Sequence, residues 1–269
     1  MVKISSFSEN QIRKWTVATV HWKSYEYLYW QIKTLYDYNN PNDFELCIFD
    51  GMFPHNDNNL LENLINEYKR YKNIKLFFWE SFAEKGLPHG SELTEILRRV
   101  NSKYVIFNDP DCFWLVQGHL DFLESFLMAG NRSVGVQHRT MSGPAIYGAA
   151  YYLQDIKNCD LSATWQYCQD CKKGTLVKNQ DTGWQLNLRT SHLPMQIFRE
   201  SIEKTPRFGK YSHGRPDCFQ SYQYKDNLVA THLFRGIYKQ ETAEEIYPEF
   251  WLKNRMKYGQ YFYENCKKL

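Results

Sequence analysis

No window of this 269-residue chain approaches 18 consecutive apolar residues, and its first 20 residues hold no apolar stretch of signal-peptide length. The sequence therefore predicts neither a membrane-spanning helix nor export, and a cytoplasmic-side protein is expected. The 7 cysteines are then expected to be reduced rather than paired. Excess charge of one sign is also scarce. The net charge is only +3 and no basic stripe stands out, which argues against a nucleic-acid partner. Internal repeats, low-complexity tracts and a linker between independent domains are all missing, so one domain over 1–269 is expected. Aromatic residues are plentiful at 17%, including 20 Tyr and 8 Trp. Such rings stack on sugars and bases, but most of them fill cores.

Strand and helix signals alternate through the first part of the chain. Thr16 to Val20 is β-rich. Tyr25 to Tyr38 has helical spacing and is stopped by Asn39-Asn40-Pro41. Phe44 to Phe49 reads as a strand, Leu60 to Tyr71 as a helix and Ile74 to Trp79 as a strand. Ser91 to Val100 places Leu93, Ile96, Leu97 and Val100 on one helical stripe, and Tyr104 to Phe107 is a fourth strand. This order predicts a parallel sheet with helical crossovers. Beyond it the pattern blurs. Leu120 to Met128 reads as a helix and Ser133 to Val136 as a short strand. Residues 138–150 read as a loop or bent strand, Asp155 to Thr190 as polar segments around a helix, and Leu228 to Phe234 as a strand. The segment from Pro248 is expected to be helical.

The fourth strand runs into Asn108-Asp109-Pro110-Asp111. Ligands of open α/β sheets bind beyond the carboxyl ends of the strands. Two acids there, spaced by a stiff proline, suit a hard divalent cation gripping a phosphate-bearing substrate. An acidic turn is the plain alternative. Asp111 is expected to be an exposed carboxylate.

Several features in sequence order resemble a glycosyltransferase of the GT-A fold, close to family 2. A strand ends in Asp50, His89-Gly90-Ser91 opens a helix, and a strand ends in Asp109-Pro110-Asp111. Asp181-Thr182-Gly183-Trp184 follows, and Thr231-His232-Leu233 lies on a late strand. The likeness is good over 14–120 and patchy beyond. It implies a Rossmann-like, mostly parallel central sheet flanked by helices, with an acceptor-side extension toward the C-terminus. Residues 14–120 would form the nucleotide-sugar half, 121–240 the acceptor half and 241–269 a helical tail.

The resemblance implies transfer of a hexose-type sugar from a nucleotide diphosphate sugar, UDP- or dTDP-type favoured, to a hydroxyl of a glycan or lipid-linked acceptor. Asp109 would face sugar or ribose, and Asp111 would coordinate Mn²⁺ or Mg²⁺. His232 would complete the metal shell, an imidazole favouring Mn²⁺. His213 is a lesser competitor. Asp50 would accept a hydrogen bond from a uracil or thymine imide, and His21, His89 and Gly90 would approach the donor. Asp181 would be the general base of an inverting reaction. Its alternative role is an N-cap for the run that follows, and Gln180 stands where the family has Glu. Trp184 and Trp165 are candidates for stacking on the acceptor.

Two rivals remain at this level. A sugar-nucleotide nucleotidyltransferase would carry a Gly-rich basic loop after its first strand, but His21 to Tyr25 contains no glycine. A non-catalytic carbohydrate-binding protein would not need the acids. Cys168 and Cys171 have the spacing of half a zinc site, with Cys159 and either His213 or Cys218 as further ligands. Tyr247, Trp251, Tyr258 and Phe262 form an aromatic stripe among lysines and Arg255. An interfacial helix making peripheral membrane contact is one reading, and packing on its own domain or a second subunit is the favoured one. Oligomeric state is left open.

Overall fold

The computed structural model describes residues 2–6, 11–21, 25–51, 59–79, 89–138, 142–162, 165–168, 173–176, 182–201, 219–233 and 257–269. An edge strand, β1 (Val2–Ser6), precedes the expected alternation: β2 (Trp15–His21), α1 (Tyr25–Tyr38), β3 (Phe44–Asp50), α2 (Asn59–Tyr68), β4 (Ile74–Trp79), α3 (His89–Arg99) and β5 (Tyr104–Asn108). The strands β2, β3 and β5 are buried at every position, which is why they read as unbroken apolar runs. β2 pairs in parallel with both β3 and β5, and β3 pairs in parallel with β4. β1 lies antiparallel to β4 with a half-exposed pattern, so its sequence carries little periodic signal. Helix α3 begins at His89, two residues earlier than its apolar stripe indicates.

The remainder is more sheet-rich than its sequence pattern suggests. In order come β6 (Cys112–Trp114), α4 (His119–Met128), β7 (Ser133–Gln137), β8 (Pro144–Tyr152), α5 (Leu153–Ile156), β9 (Trp165–Cys168), β10 (Lys173–Leu176), α6 (Trp184–Thr190), β11 (Met195–Glu200), β12 (Phe219–Tyr224) and β13 (Asn227–Leu233). A helix over 257–264 closes the described chain. The segment expected to be a loop or bent strand is the nine-residue β8. Its Gly148 is required by a close approach: a Cβ there would stand 2.9 Å from the Cys112 thiol.

The main sheet has eleven strands in the order β1-β4-β3-β2-β5-β8-β7-β11-β12-β13-β6, and β9 and β10 form a separate hairpin. Its core strands β4-β3-β2-β5 are parallel and its remaining pairs, β7 with β11 excepted, are antiparallel. Following those directions through the sheet, the carboxyl ends of β2, β3, β4, β5, β7, β11 and β13 share one edge. β6 closes the opposite end of the strand order from the parallel core, yet only Asp109, Pro110 and Asp111 separate it from β5. The sheet thus turns back on itself at those residues.

The C-terminal segment braces that closure. Lys267 N–H donates to Leu115 O at 2.8 Å, and Gln117 N–H donates to Lys267 O at 2.8 Å. Tyr258 and Phe262 are 2% and 1% exposed, and Phe262 stacks on Phe113 with centroids 5.3 Å apart. Two members of the aromatic stripe are therefore spent on packing, while Tyr247 and Trp251 lie outside the described residues. No described helix is long and apolar enough to cross a membrane.

Candidate metal and nucleotide site

The Asp-Pro-Asp element is a tight turn. Cys112 N–H donates to Asp109 O at 2.9 Å, with Pro110 in the position where a fixed φ favours such turns. Three elements hold it rigid. Gln31 of α1 donates from Nε2 to Asp109 O at 2.6 Å. Asp109 N–H donates to Tyr147 O of β8 at 3.1 Å. Asn108 donates from Nδ2 to Cys112 O at 3.1 Å and accepts from Trp114 Nε1 at 2.7 Å. Gln31 was not legible as a site residue, because its partners lie almost eighty positions away on another element.

The pairing of β13 with β6 sets His232 directly opposite Cys112. This brings His232 Nε2 to 3.5 Å from Asp111 Oδ1. Ligand atoms of Asp109, Asp111 and His232 all lie within 4.8 Å of one another. The His232 ring is fixed by Tyr147, stacked at 3.9 Å between centroids and 9° between planes. Asp111 is only 3% exposed. The exposed carboxylate expected from the sequence is a buried one, because β6 and β13 close over it. Its Oδ1 has no hydrogen-bond partner among the described residues. Buried oxygens are rarely left so. Two carboxylates and an imidazole converge there, and that donor set fits a divalent cation.

His89, at the start of α3, faces the other acid: its Nε2 is 3.2 Å from Asp109 Oδ1. Burial works against the His89 cation, but Asp109 more than offsets it and raises the imidazole above its ordinary value. Burial likewise opposes the Asp109 anion, and His89 more than compensates, so this carboxyl lies below the usual range. Gly90 has a packing role. A Cβ there would stand 2.1 Å from Leu161 O, so the helix start and the 161–162 segment touch only because the side chain is absent.

Asp50 and His21 end adjacent parallel strands, opposite each other in register and 1% and 0% exposed. Burial depresses His21 to about 3, so it is neutral near pH 7. Its ring lies 4.0 Å from that of Tyr25. Next to them is an acid that sequence reasoning passed over. Glu92 of α3 is 3% exposed and accepts from Trp79 Nε1 at 3.4 Å. A Cβ on Gly51 would be 3.0 Å from Glu92 Oε1. Burial raises Glu92 to about 7, with His89 and Trp79 working against the rise. The signal was present: Glu92, four residues before Ile96, falls on the face of the apolar stripe of Leu93, Ile96, Leu97 and Val100.

The remaining candidates are placed unevenly. Asp181 lies outside the described residues. The N-cap of α6 is Gly183, in the left-handed region with φ 80° and with no side-chain capping hydrogen bond. Gly183 N–H donates to Leu161 O at 2.9 Å. Trp184 opens α6, half-buried, with an Nε1 that has no hydrogen-bond partner among the described residues. Trp165 is the first residue of the β9–β10 hairpin, opposite Leu176. Cys159 is buried and burial raises its thiol. Cys171, His213 and Cys218, the other zinc candidates besides Cys168, lie outside the described residues.

No protein-family model and no curated protein matches this sequence. Solved structures do resemble it. The mannosyltransferase PcManGT from Pyrobaculum calidifontis, in complex with GDP-Man and Mn²⁺, superposes with a TM-score of 0.51 at 11% identity, over 72% of this chain and 59% of that one. S. aureus TarS gives a TM-score of 0.51 at 13% identity, over 70% of this chain and 35% of that one. Residues 1–349 of TarS in complex with UDP-GlcNAc give 0.50 at 11% identity, over 94% and 82%. This chain thus spans 59% of the mannosyltransferase and 35% of TarS. The fold is of the GT-A type, with a parallel α/β core.

Proposed function

We propose that this protein is a GT-A glycosyltransferase that moves a sugar from a nucleotide diphosphate sugar, UDP- or dTDP-type favoured, to an acceptor hydroxyl by a metal-dependent, inverting reaction. The observation that carries this reading is the convergence of Asp109, Asp111 and His232 at the carboxyl edge of the sheet, with Asp111 Oδ1 unmatched among the described residues. Two solved structures with this architecture hold GDP-Man with Mn²⁺ and UDP-GlcNAc, respectively.

The chain's own residues divide the work. Asp50 accepts a hydrogen bond from the imide of the base. Asp109, Asp111 and His232 would hold a divalent cation, Mn²⁺ or Mg²⁺, which would supply Lewis-acid stabilisation of the charge on the departing diphosphate. His89 keeps Asp109 ionised and oriented, so that the carboxylate is set before substrate arrives. Asp181 takes the proton of the attacking hydroxyl. Trp184 offers its indole N–H and ring face to the acceptor, with Trp165 as a second ring.

The test is a panel of nucleotide sugars with Mn²⁺ or Mg²⁺, scored for released nucleoside diphosphate. Cation-dependent release of nucleoside diphosphate from one donor is expected. Release of pyrophosphate instead would make the protein a nucleotidyltransferase, and glycan binding without any release would make it a binding protein.

A further inference from the structure

A second concavity opens on the same edge of the sheet. It has a volume of about 500 Å³ and is lined by Gln137, His138, Ser142, Gly143, Met195, Ile197 and Arg199. That is the size of a pocket for a small ligand. Its wall is built by strand geometry. Met195, Ile197 and Arg199 alternate along β11, so all three present one face. Gln137 ends β7 beside them.

Two links fasten this hollow to the candidate site. Tyr147, whose ring covers His232, donates from its hydroxyl to Gln137 O at 3.3 Å. One tyrosine therefore spans from the metal-ligand histidine to the hollow's rim. On the other side, Asn187 Oδ1 accepts from Gly143 N–H at 2.7 Å. A Cβ on Gly183 would press 3.0 Å from Ile146 Cδ1. The hollow's rim is thus tied to α6, the helix opened by Trp184.

The lining has a definite chemical character. Among the described residues its lining holds no carboxylate, and its ring is the His138 imidazole. Its charged side chain is Arg199, which makes no ion pair among the described residues and is exposed. Gln137 Oε1 is engaged by Glu200 N–H at 3.3 Å, which leaves its NH₂ as the free end of that amide. Ser142 and His138 add further polar groups, and Met195 and Ile197 give an apolar floor. Neutral sugars are held by carboxylates accepting from hydroxyls and by stacking rings. A donor-rich wall whose described residues include no carboxylate suits oxygens that accept and carry charge.

We propose that this hollow is the acceptor subsite and that the acceptor bears an anionic group, a phosphate or a carboxylate, held by Arg199. The inference rests on the transferase reading and adds a substrate class to it. It is tested with the full chain and Mg²⁺ by ligand-observed NMR, using glucose, glucuronate, glucose 6-phosphate and inorganic phosphate. At least one anionic sugar is expected to bind about tenfold or more tighter than glucose, and to outbind inorganic phosphate. The stronger of the two anionic sugars identifies the group. Arg199→Gln is expected to bring that sugar down to the affinity of glucose, with Arg199→Lys retaining part of the preference. The proposal is overturned if glucose binds as well, if neither anionic sugar binds, if inorganic phosphate binds as tightly as the sugar phosphate, or if Arg199→Gln changes nothing. UDP, dTDP and GDP binding is scored in the same samples. Failure of all three nucleotides to bind while the anion preference persists would sink the transferase reading and leave the anion site standing.

Discussion

Asn108 and Asp111 stand three residues apart on the same turn and are equally hidden, at 4% and 3% exposure. Their surroundings differ in kind. The Asn108 amide is matched at both ends, by Cys112 O and by Trp114 Nε1. The Asp111 carboxylate has an oxygen with no hydrogen-bond partner among the described residues, facing His232 across 3.5 Å. One polar side chain is finished by the protein itself, and the other is left for something that binds. Burial does not separate scaffold from site here. Unused hydrogen-bonding capacity does.

The contrast can be broken from either side. Asp111→Asn removes the charge but keeps the shape. It is expected to lower turnover by at least about 10³-fold, the worth of several kcal/mol of charge stabilisation, while the thermal midpoint moves little. Equal losses of activity and stability would place Asp111 with the scaffold. Asn108→Leu is the converse. It orphans the Trp114 N–H and the Cys112 carbonyl, so a stability loss of about 2–3 kcal/mol is expected in urea unfolding. An unchanged midpoint would show that the amide is dispensable.

His232→Phe keeps a ring against Tyr147 and deletes the nitrogen. Mn²⁺ affinity, read by calorimetry, is expected to fall at least about tenfold, with little change in the unfolding midpoint. Unaltered affinity would remove His232 from the metal set.

Glu92 gives the most specific effect. Folding raises its carboxyl to about 7 from an ordinary 4.5. Across that window the folded protein keeps a proton that the unfolded chain has released. Stability therefore falls as pH rises from about 4.5 to about 7 and is flat in this respect above it. Glu92→Gln should remove that slope, worth roughly 2–3 kcal/mol between pH 5 and 8. Parallel stability curves for the two proteins would show that Glu92 ionises normally.

The parallel core was legible because its strands are buried on both faces and its helices carry clear stripes. Thr16 to Val20, Phe44 to Phe49, Ile74 to Trp79 and Tyr104 to Phe107 all fall inside observed strands. The second half was less so. In β11, only Phe198 is fully buried, and β8 carries Pro144 and Gly148. Those residues read as loop signals until a close approach to Cys112 and Val136 explains the glycine. Gln31 carried no signal, since a glutamine on a helix is ordinary until its partner is known. Glu92 carried one, as an acid within an apolar stripe.

By itself the sequence determined the alternation of strand and helix, the acids beyond a buried strand and the histidines that accompany them, because burial period and turn chemistry are local properties of the chain. Tertiary structure decided which of those groups meet. His232 reaches Asp111 only because β13 pairs with β6 across more than a hundred residues. Glu92 meets Asp50 and His89 only because α3 packs over the ends of β2 and β3. Such encounters are set by long-range strand register, which no local pattern contains.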